Sequence, residues 1–300
     1  MTAVALIGFG EVGQTLAEDF LASGSVSVAA WDIKFPDADS IPSRALKRLS
    51  GVKGCGSASD AVKDADIVIS AVTAAETGTA AKSAVGHMLE GVWFADLNSA
   101  SPETKRQAAV AVNGSGARYV ETSVMSPIGP KRLQSPMLVS GDYAKAFVDV
   151  AHGVGMTGVS FFADTYGRAS AAKMCRSVMV KGVEALITES LTAAHHYGVE
   201  DTVVKSLSDL FPGLDWQELS TYMMSRALIH GKRRAEEMRE VAKTVADAGL
   251  EPLLSAATAE RQDWSASLHI DPAGMDLSAL LETISTKNAA HKATKKEGAS

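Results

Sequence analysis

Gly8-Phe9-Gly10-Glu11-Val12-Gly13 sets three glycines at the spacing GxGxxG, directly after the apolar run Ala3–Ile7 and at the head of a helical pattern, Glu11–Ala22. That arrangement suits a pyrophosphate. Gly8 permits a tight turn, Gly10 lets a phosphate approach the backbone, and Gly13 lets the helix pack closely on the strand. The helix start adds unpaired N–H groups and the positive end of its dipole, so Phe9, Glu11 and Val12 are candidate contacts with the same ligand. A second apolar run, Val26–Trp31, ends at Asp32, about 20 residues beyond Gly13, where a carboxylate takes the ribose hydroxyls of NAD. The same charge repels the 2′-phosphate of NADP, although Lys34 keeps NADP open. Two other readings compete: a turn with chance glycines and a surface aspartate, and a turn that binds S-adenosylmethionine.

Lys173 is the other residue whose placement suggests chemistry. It sits in the first turns of a long helical pattern entered at Gly167, where the dipole disfavours a cation. An acid/base lysine needs its pKa lowered from about 10.4 toward 7–8. From the residues alone, a lysine here is more often a solvated helix residue. Val72 and Thr73 end one apolar run, and Asn98 and Ser99 end another. Ligands of open α/β sheets sit outside such strand ends, so these four are candidate contacts near the nicotinamide, or ordinary turn-forming and capping residues.

These residues need a scaffold, and the hydrophobic pattern supplies one. Strands are expected at Val4–Ile7, Val26–Trp31, Ile67–Val72, Val92–Leu97, Tyr119–Val124, Met137–Val139 and Val159–Ala163. Helices are expected at Glu11–Ala22, Asp60–Lys63, Glu76–Leu89, Pro102–Val112 and Tyr143–Ala151. Alternation of this kind predicts an α/β fold: a Rossmann-type doubly wound sheet over residues 1–165. From Tyr166 the strand signal stops. Helices over Ala169–Tyr197, Trp216–Ala248 and Pro252–Ala266 predict an all-α domain over residues 166–285, followed by a flexible basic tail, Thr286–Ser300.

The whole chain has 300 residues, 46% hydrophobic and 21% charged, which excludes global disorder and leaves material for two cores. A net charge of −6 argues against a nucleic-acid backbone as partner. The two cysteines, Cys55 and Cys175, are far apart and suggest neither a disulfide framework nor a metal site. With no long apolar span and no basic leader, the chain reads as a soluble, cytoplasmic protein with no membrane partner.

The first strand with Gly8–Gly13, the strand ends at Val72 and Asn98, the segment Glu121–Pro127 and Gly167…Lys173 follow one another in a familiar order. The chain resembles the β-hydroxyacid dehydrogenase superfamily, which includes 3-hydroxyisobutyrate and 6-phosphogluconate dehydrogenases, over nearly its whole length to about Ala266. Lys173-Met174-Cys175-Arg176-Ser177, Lys181–Leu186 and Arg234–Met238 resemble a branch with a distinct 6-phosphogluconate-dehydrogenase-like C-terminal domain. The resemblance implies NAD(P)-dependent hydride transfer with a small hydroxy acid or its keto counterpart. It makes Lys173 the general acid/base, and it implies a homodimer or higher homo-oligomer. Imine-reducing relatives generally replace this lysine.

The departures from the family pattern all fall on the substrate side. Where the family has an acid followed by Ala-Pro-Val-Ser-Gly-Gly, this chain has Glu121-Thr122-Ser123-Val124-Met125-Ser126-Pro127. Ser123 and Ser126 are candidate substitutes for the displaced serine, and Met125 is a candidate wall. Ser177 replaces an asparagine, and Arg176 could clamp a carboxylate. On the second long helix, Glu236-Glu237 stand where a Lys-Asp pair is usual, so His230 and Arg233 are the candidate polar contacts. That face also reads as ordinary intrahelical ion pairs. A decarboxylating dehydrogenase, an imine reductase and a non-catalytic NAD-binding protein are the alternatives to simple hydroxy-acid oxidation.

Overall fold

The computed structural model describes residues 1–297, in two compact units, Met1–Cys175 and the chain from Arg176 onward. The first holds one eight-stranded sheet, ordered β3-β2-β1-β4-β5-β6-β7-β8. Its strands are β1 (Thr2–Ile7), β2 (Val26–Trp31), β3 (Val52–Gly54), β4 (Ile67–Ser70), β5 (Trp93–Asp96), β6 (Arg118–Val124), β7 (Met137–Ser140) and β8 (Val159–Ala163). The continuous apolarity of β1 follows from burial on both faces. Val4 and Leu6 join a core with Phe9, Leu16 and Phe20, while Ala5 and Ile7 join another with Val62, Ala80 and Phe94.

The helices of this unit are α1 (Glu11–Ser23), α2 (Ile41–Arg48), α3 (Ala58–Val62), α4 (Thr77–Ala84), α5 (Pro102–Asn113), α6 (Ile128–Lys131) and α7 (Ala144–Gly153). The sequence pattern leaves out α2 and β3. Both are short, and α2 is marked mainly by its cap, Ser40 accepting from the Ser43 N–H at 3.3 Å. The helix expected over Glu76–Leu89 stops at Ala84, where Val85 turns extended (φ −57°, ψ 132°) and Gly86 follows at φ +79°. The sheet is also not uniformly parallel. β6 pairs antiparallel with β7, with Glu121 opposite Ser140 and Ser123 opposite Leu138. The short connection through α6 reverses the chain beside its own strand, a return that a parallel crossover could not make in so few residues.

Chain order reverses between β1 and β4, which are neighbours in the sheet, with β2 and β3 on the far side of β1. The C-terminal ends of these two strands therefore flank a topological switch point.

α8 (Arg168–His196) starts at the expected junction, and the division between the two units falls within it, at Cys175. The helical unit continues with α9 (Glu200–Leu210), α10 (Trp216–Asp247), α11 (Leu253–Ser267) and α12 (Leu277–Glu297). α10 and α11 meet at Gly231, where a Cβ would lie 2.4 Å from the Gln262 carbonyl oxygen. Met224, Leu228, Leu191, Leu280, Leu281 and Ile284 form the core. Thr286, expected to open a flexible tail, instead lies inside α12, because Leu280, Leu281 and Ile284 give that helix a buried stripe. Gly298–Ser300 of that expected tail lie outside the described residues. No helix among the described residues is long and apolar enough to cross a membrane.

Candidate active site

The glycine turn is built as its spacing demands. Gly8 has φ +95°, and a Cβ there would stand 2.4 Å from the Ala71 carbonyl oxygen. A Cβ on Gly13 would lie 2.3 Å from the Gly8 oxygen. At Gly10 nothing lies within 4 Å, so this face of the turn is open to a ligand. Phe9 is fully buried, its ring edge-on to Phe35 at 5.8 Å. No side chain caps α1 at Gly10. Its first N–H groups thus remain available for an anion. Glu11 is exposed and Val12 half-buried, and Val12 packs against the core.

Asp32 is tied to the turn. Its carboxylate accepts from the Phe9 N–H at 2.7 Å and from the Lys34 N–H at 2.9 Å, while Gly8 N–H donates to the Trp31 carbonyl at 2.9 Å. Each carboxylate oxygen has further acceptor capacity, so the group is oriented rather than consumed. An open Gly10, an uncapped helix start and a fixed acidic acceptor fit a dinucleotide.

Asn98 is buried and works as a staple between strand ends. Its Oδ1 accepts from the Val72 N–H at 2.7 Å and its Nδ2 donates to Ser70 Oγ at 2.9 Å. The Asn98 N–H in turn donates to Asp96 Oδ1 at 2.9 Å. Asp96 and Lys105 are both fully buried and pair at 2.8 Å, with Tyr119 Oη donating to the other carboxylate oxygen at 2.7 Å. Burial, then the Asp96 charge, pushes the Tyr119 phenol well above its ordinary pKa, so it stays a donor. The side chain of Asn98 is thus engaged in positioning Val72. Thr73 is exposed, and Ser99, the residue after Asn98, is half-buried.

Ser123 lies buried in β6, and Met125, half-buried, donates its N–H to the Pro136 carbonyl at 2.9 Å. The Ser126 hydroxyl donates to the Pro127 carbonyl at 3.2 Å. The loop after α6 is strapped to α1 by Arg132, which the sequence reading missed. Its guanidinium donates to Asp19 at 2.7 Å, Glu18 at 2.9 Å and the Thr15 carbonyl at 3.2 Å. Arg132 holds φ +51° and ψ −126°, a conformation that side-chain-bearing residues rarely adopt.

Lys173 is half-buried in the first turns of α8. The start of this helix is docked on β6 by Glu121, a fully buried carboxylate that accepts from the Gly167 N–H and from the Ser170 N–H at 2.6 Å. The only sequence signal for this was an acid standing where the family keeps one.

In the helical unit, Arg176 is exposed and Ser177 is buried, accepting from Lys181 Nζ at 3.3 Å. Lys181 pairs with Glu237 at 2.6 Å, and Arg233 pairs with the same carboxylate at 2.9 Å. The expected intrahelical pairing on that face is therefore present. His230 is half-buried. Beneath them Arg234 pairs with Glu184, which also accepts from Gln262 at 3.2 Å. Burial raises the Glu184 pKa and lowers that of Arg234, each opposed by the partner's charge. The burial and pairing of Lys181, Glu184 and Arg234 were not legible in the sequence, because a charged residue on a helix carries no mark of burial. Among the described residues, no group of three or more His, Cys, Asp or Glu is placed to hold a metal ion.

Comparison with known proteins agrees with this geometry. Residues 3–146 match the family described as the NAD binding domain of 6-phosphogluconate dehydrogenase, and residues 194–265 match a domain of unknown function (DUF1932). A conserved hypothetical protein from Sinorhizobium meliloti is 34% identical, covers 96% of this chain and 97% of its own, and superposes with a TM-score of 0.72. A second conserved protein of unknown function, reported as structurally similar to 3-hydroxyacid dehydrogenases, is 31% identical over 91% of this chain and all of its own, with a TM-score of 0.66. The 3-hydroxyisobutyrate dehydrogenase of Mycobacterium tuberculosis, solved with L-serine, shares the fold at 20% identity, covering 95% and 99% of the two chains with a TM-score of 0.69. From its dinucleotide turn to its helical C-terminal unit, the chain belongs to the β-hydroxyacid dehydrogenase superfamily.

Proposed function

We propose that this chain is an oxidoreductase that moves a hydride between a small hydroxy acid, or a related β-hydroxy compound, and a nicotinamide dinucleotide, with NAD favoured over NADP. The observation that carries the reading is the open, uncapped glycine turn with Asp32 held beside it by the Phe9 N–H. The dinucleotide, when bound, supplies the hydride acceptor at its nicotinamide ring. The turn Gly8–Gly13 holds pyrophosphate, and Asp32 accepts from ribose hydroxyls and repels a 2′-phosphate. Lys173 takes the proton of the substrate hydroxyl during oxidation and returns it during reduction. Ser123, Met125 and Ser126 are the proposed substrate-side residues of the first unit, and Arg176, Ser177, His230 and Arg233 those of the helical unit.

The test is a panel of hydroxy acids followed by NADH absorbance, with NADP in parallel and CO2 release measured. Turnover with NAD is expected, and Lys173→Ala should lose about 10²–10⁴ in kcat while still binding NADH. Clear preference for NADP would remove Asp32 as the ribose ligand. Full activity in Lys173→Ala would remove the acid/base assignment and favour imine reduction. We further propose a cytoplasmic homo-oligomer. The helical unit leaves Met179, Leu186, Tyr222 and Ile229 more than half exposed, and light scattering of the purified chain would count the copies.

A further inference from the structure

The entry to α8 is held by groups that the proposed reaction does not itself use. Glu121 accepts from the N–H groups of Gly167 and Ser170, and Ser140 Oγ accepts from that of Ala169 at 3.2 Å. Just ahead of the helix, the Tyr166 hydroxyl donates to the Tyr119 carbonyl at 3.1 Å and accepts from Asn113 at 3.1 Å. Its ring fills the place a side chain on Gly141 would occupy, 1.9 Å from an ideal Cβ. The partners lie on β6, β7 and α5, so the helix start is fixed against three elements at once.

Glu121 is fully buried, and burying a carboxylate is costly unless its bonds are worth more than hydration. Here the carboxylate meets the positive end of a helix 29 residues long. Lys173 follows Ser170 by three residues, about 4.5 Å along the axis. A fixed negative charge bonded to the first turn of the helix steadies an ammonium group on the next turn and offsets the dipole that disfavours it.

We propose that Glu121 is a positioning residue: its carboxylate clamps the first turn of α8 to the sheet, and so sets both where the Lys173 amine stands and how readily it holds a proton. This inference rests on reading Lys173 as the acid/base. Other charged or titratable groups around the clamp are Arg106 of α5, whose guanidinium lies against Gly167, Asp142 after β7, Tyr166, and the Asp96–Lys105 pair with Tyr119. None of them accepts from the first N–H groups of α8 in the bonds described above. Among the described residues, Glu121 is the carboxylate that these bonds bring to them.

The test reads Lys173 directly. Reductive methylation with 13C-formaldehyde gives each lysine a signal that follows its protonation, and the Lys173 signal is the one missing from Lys173→Arg. Glu121→Gln should lower the Lys173 midpoint by about 0.3–1 pH unit, as expected for removing one charge near 10 Å between solvent-like and protein-like screening. Glu121→Asp, which keeps the charge, should hold the wild-type midpoint. An unchanged midpoint in Glu121→Gln, or the same drop in both variants, overturns the proposal.

The pH limb of kcat/KM for oxidation should move to lower pH by the same amount as the signal. A shifted signal with an unmoved limb would support the clamp and instead remove Lys173 from the acid/base role. Should Glu121→Gln fail to fold, hydrogen exchange in the wild-type chain is the second measurement. The Gly167 and Ser170 amides that donate to Glu121 should be strongly protected, and rapid exchange at both would overturn the clamp.

Discussion

At the scale of single residues, the glycine turn separates two demands that one motif imposes. Gly8 and Gly13 are glycines because other backbone stands where a Cβ would go, whereas Gly10 has open space there. The consequences of substitution differ accordingly. Gly8→Ala forces a Cβ into the Ala71 carbonyl at a positive φ, so the turn must shift, and we expect a loss of about 1–3 kcal/mol together with dinucleotide binding. Gly10→Ala should melt within 1–2 °C of wild type, roughly the effect of a few tenths of a kcal/mol, yet bind NADH at least about tenfold more weakly, a loss near 1.4 kcal/mol. Thermal melts and NADH fluorescence titrations on the same samples would check both. If Gly10→Ala bound NADH as well as wild type, the open face would not be the phosphate site.

At the scale of elements, the recurring device is a side chain that fastens one element to another. Asn98 joins the ends of β4 and β5, Glu121 joins β6 to α8, and Arg132 joins the loop after α6 to α1. Arg132 combines a stabilising and a destabilising contribution, since its ion pairs with Glu18 and Asp19 hold a backbone conformation that glycine adopts more easily. Arg132→Gly loses the ion pairs and relaxes the backbone. Arg132→Ala loses the ion pairs and keeps the strain. Urea denaturation should therefore find Arg132→Ala less stable than Arg132→Gly by about 1 kcal/mol. Equal stabilities would mean that the backbone at this position is relaxed. Both variants free the C-terminal end of α6 from α1, and Met125 and Ser126 stand just ahead of that short helix, so KM for the substrate should rise more than that for NAD.

At the scale of the whole molecule, the helical unit carries a proton-dependent tie. His195, in the last turn of α8, pairs with Glu200 of α9 at 2.8 Å and with Glu282 of α12 at 3.2 Å. The Glu200 hydrogen bond, followed by that from Glu282 and both charges, raises the His195 pKa above its ordinary 6.5 against a smaller opposing effect of burial. Glu200 is lowered by its own backbone N–H and then by His195. A histidine raised on folding stabilises fully below its unfolded pKa, and that contribution is lost as pH rises through the folded value. A lowered carboxylate contributes above its unfolded pKa and loses that contribution as pH falls through the folded value. The tie is therefore strongest in mildly acidic solution, between the unfolded values of Glu200 (4.5) and His195 (6.5). The stability gap between wild type and His195→Gln should be largest near pH 6 and close as pH rises through the raised His195 pKa. A gap independent of pH would show that the imidazole packs there without its charge.

Much of this architecture was legible in the residues. Alternating apolar runs and helical stripes fixed seven of the strands near their places, because a buried strand or helix face must repeat with the period of its own backbone. The glycine turn was legible for the same reason. Its steric demands are met within the strand, turn and helix that contain it, and Asp32 reports the next strand end. Short elements such as β3 and α2 were missed because their turns and caps outweigh any periodicity. The buried charged groups belong to another category. Glu121 and Gly167 are 46 positions apart, and Glu184 and Arg234 are 50 apart. Lys105 is buried on the face of α5 that also buries Ala108, Ala109 and Val112. A charged residue looks the same in the sequence whether water or a distant carboxylate surrounds it. The amino-acid sequence by itself determined the glycine turn, the two-part fold and the lysine at the head of α8. Only the tertiary structure decided what holds that lysine's helix in place, because the acceptor for a helix's first N–H groups is chosen by how strands pack, and packing leaves no local period to read.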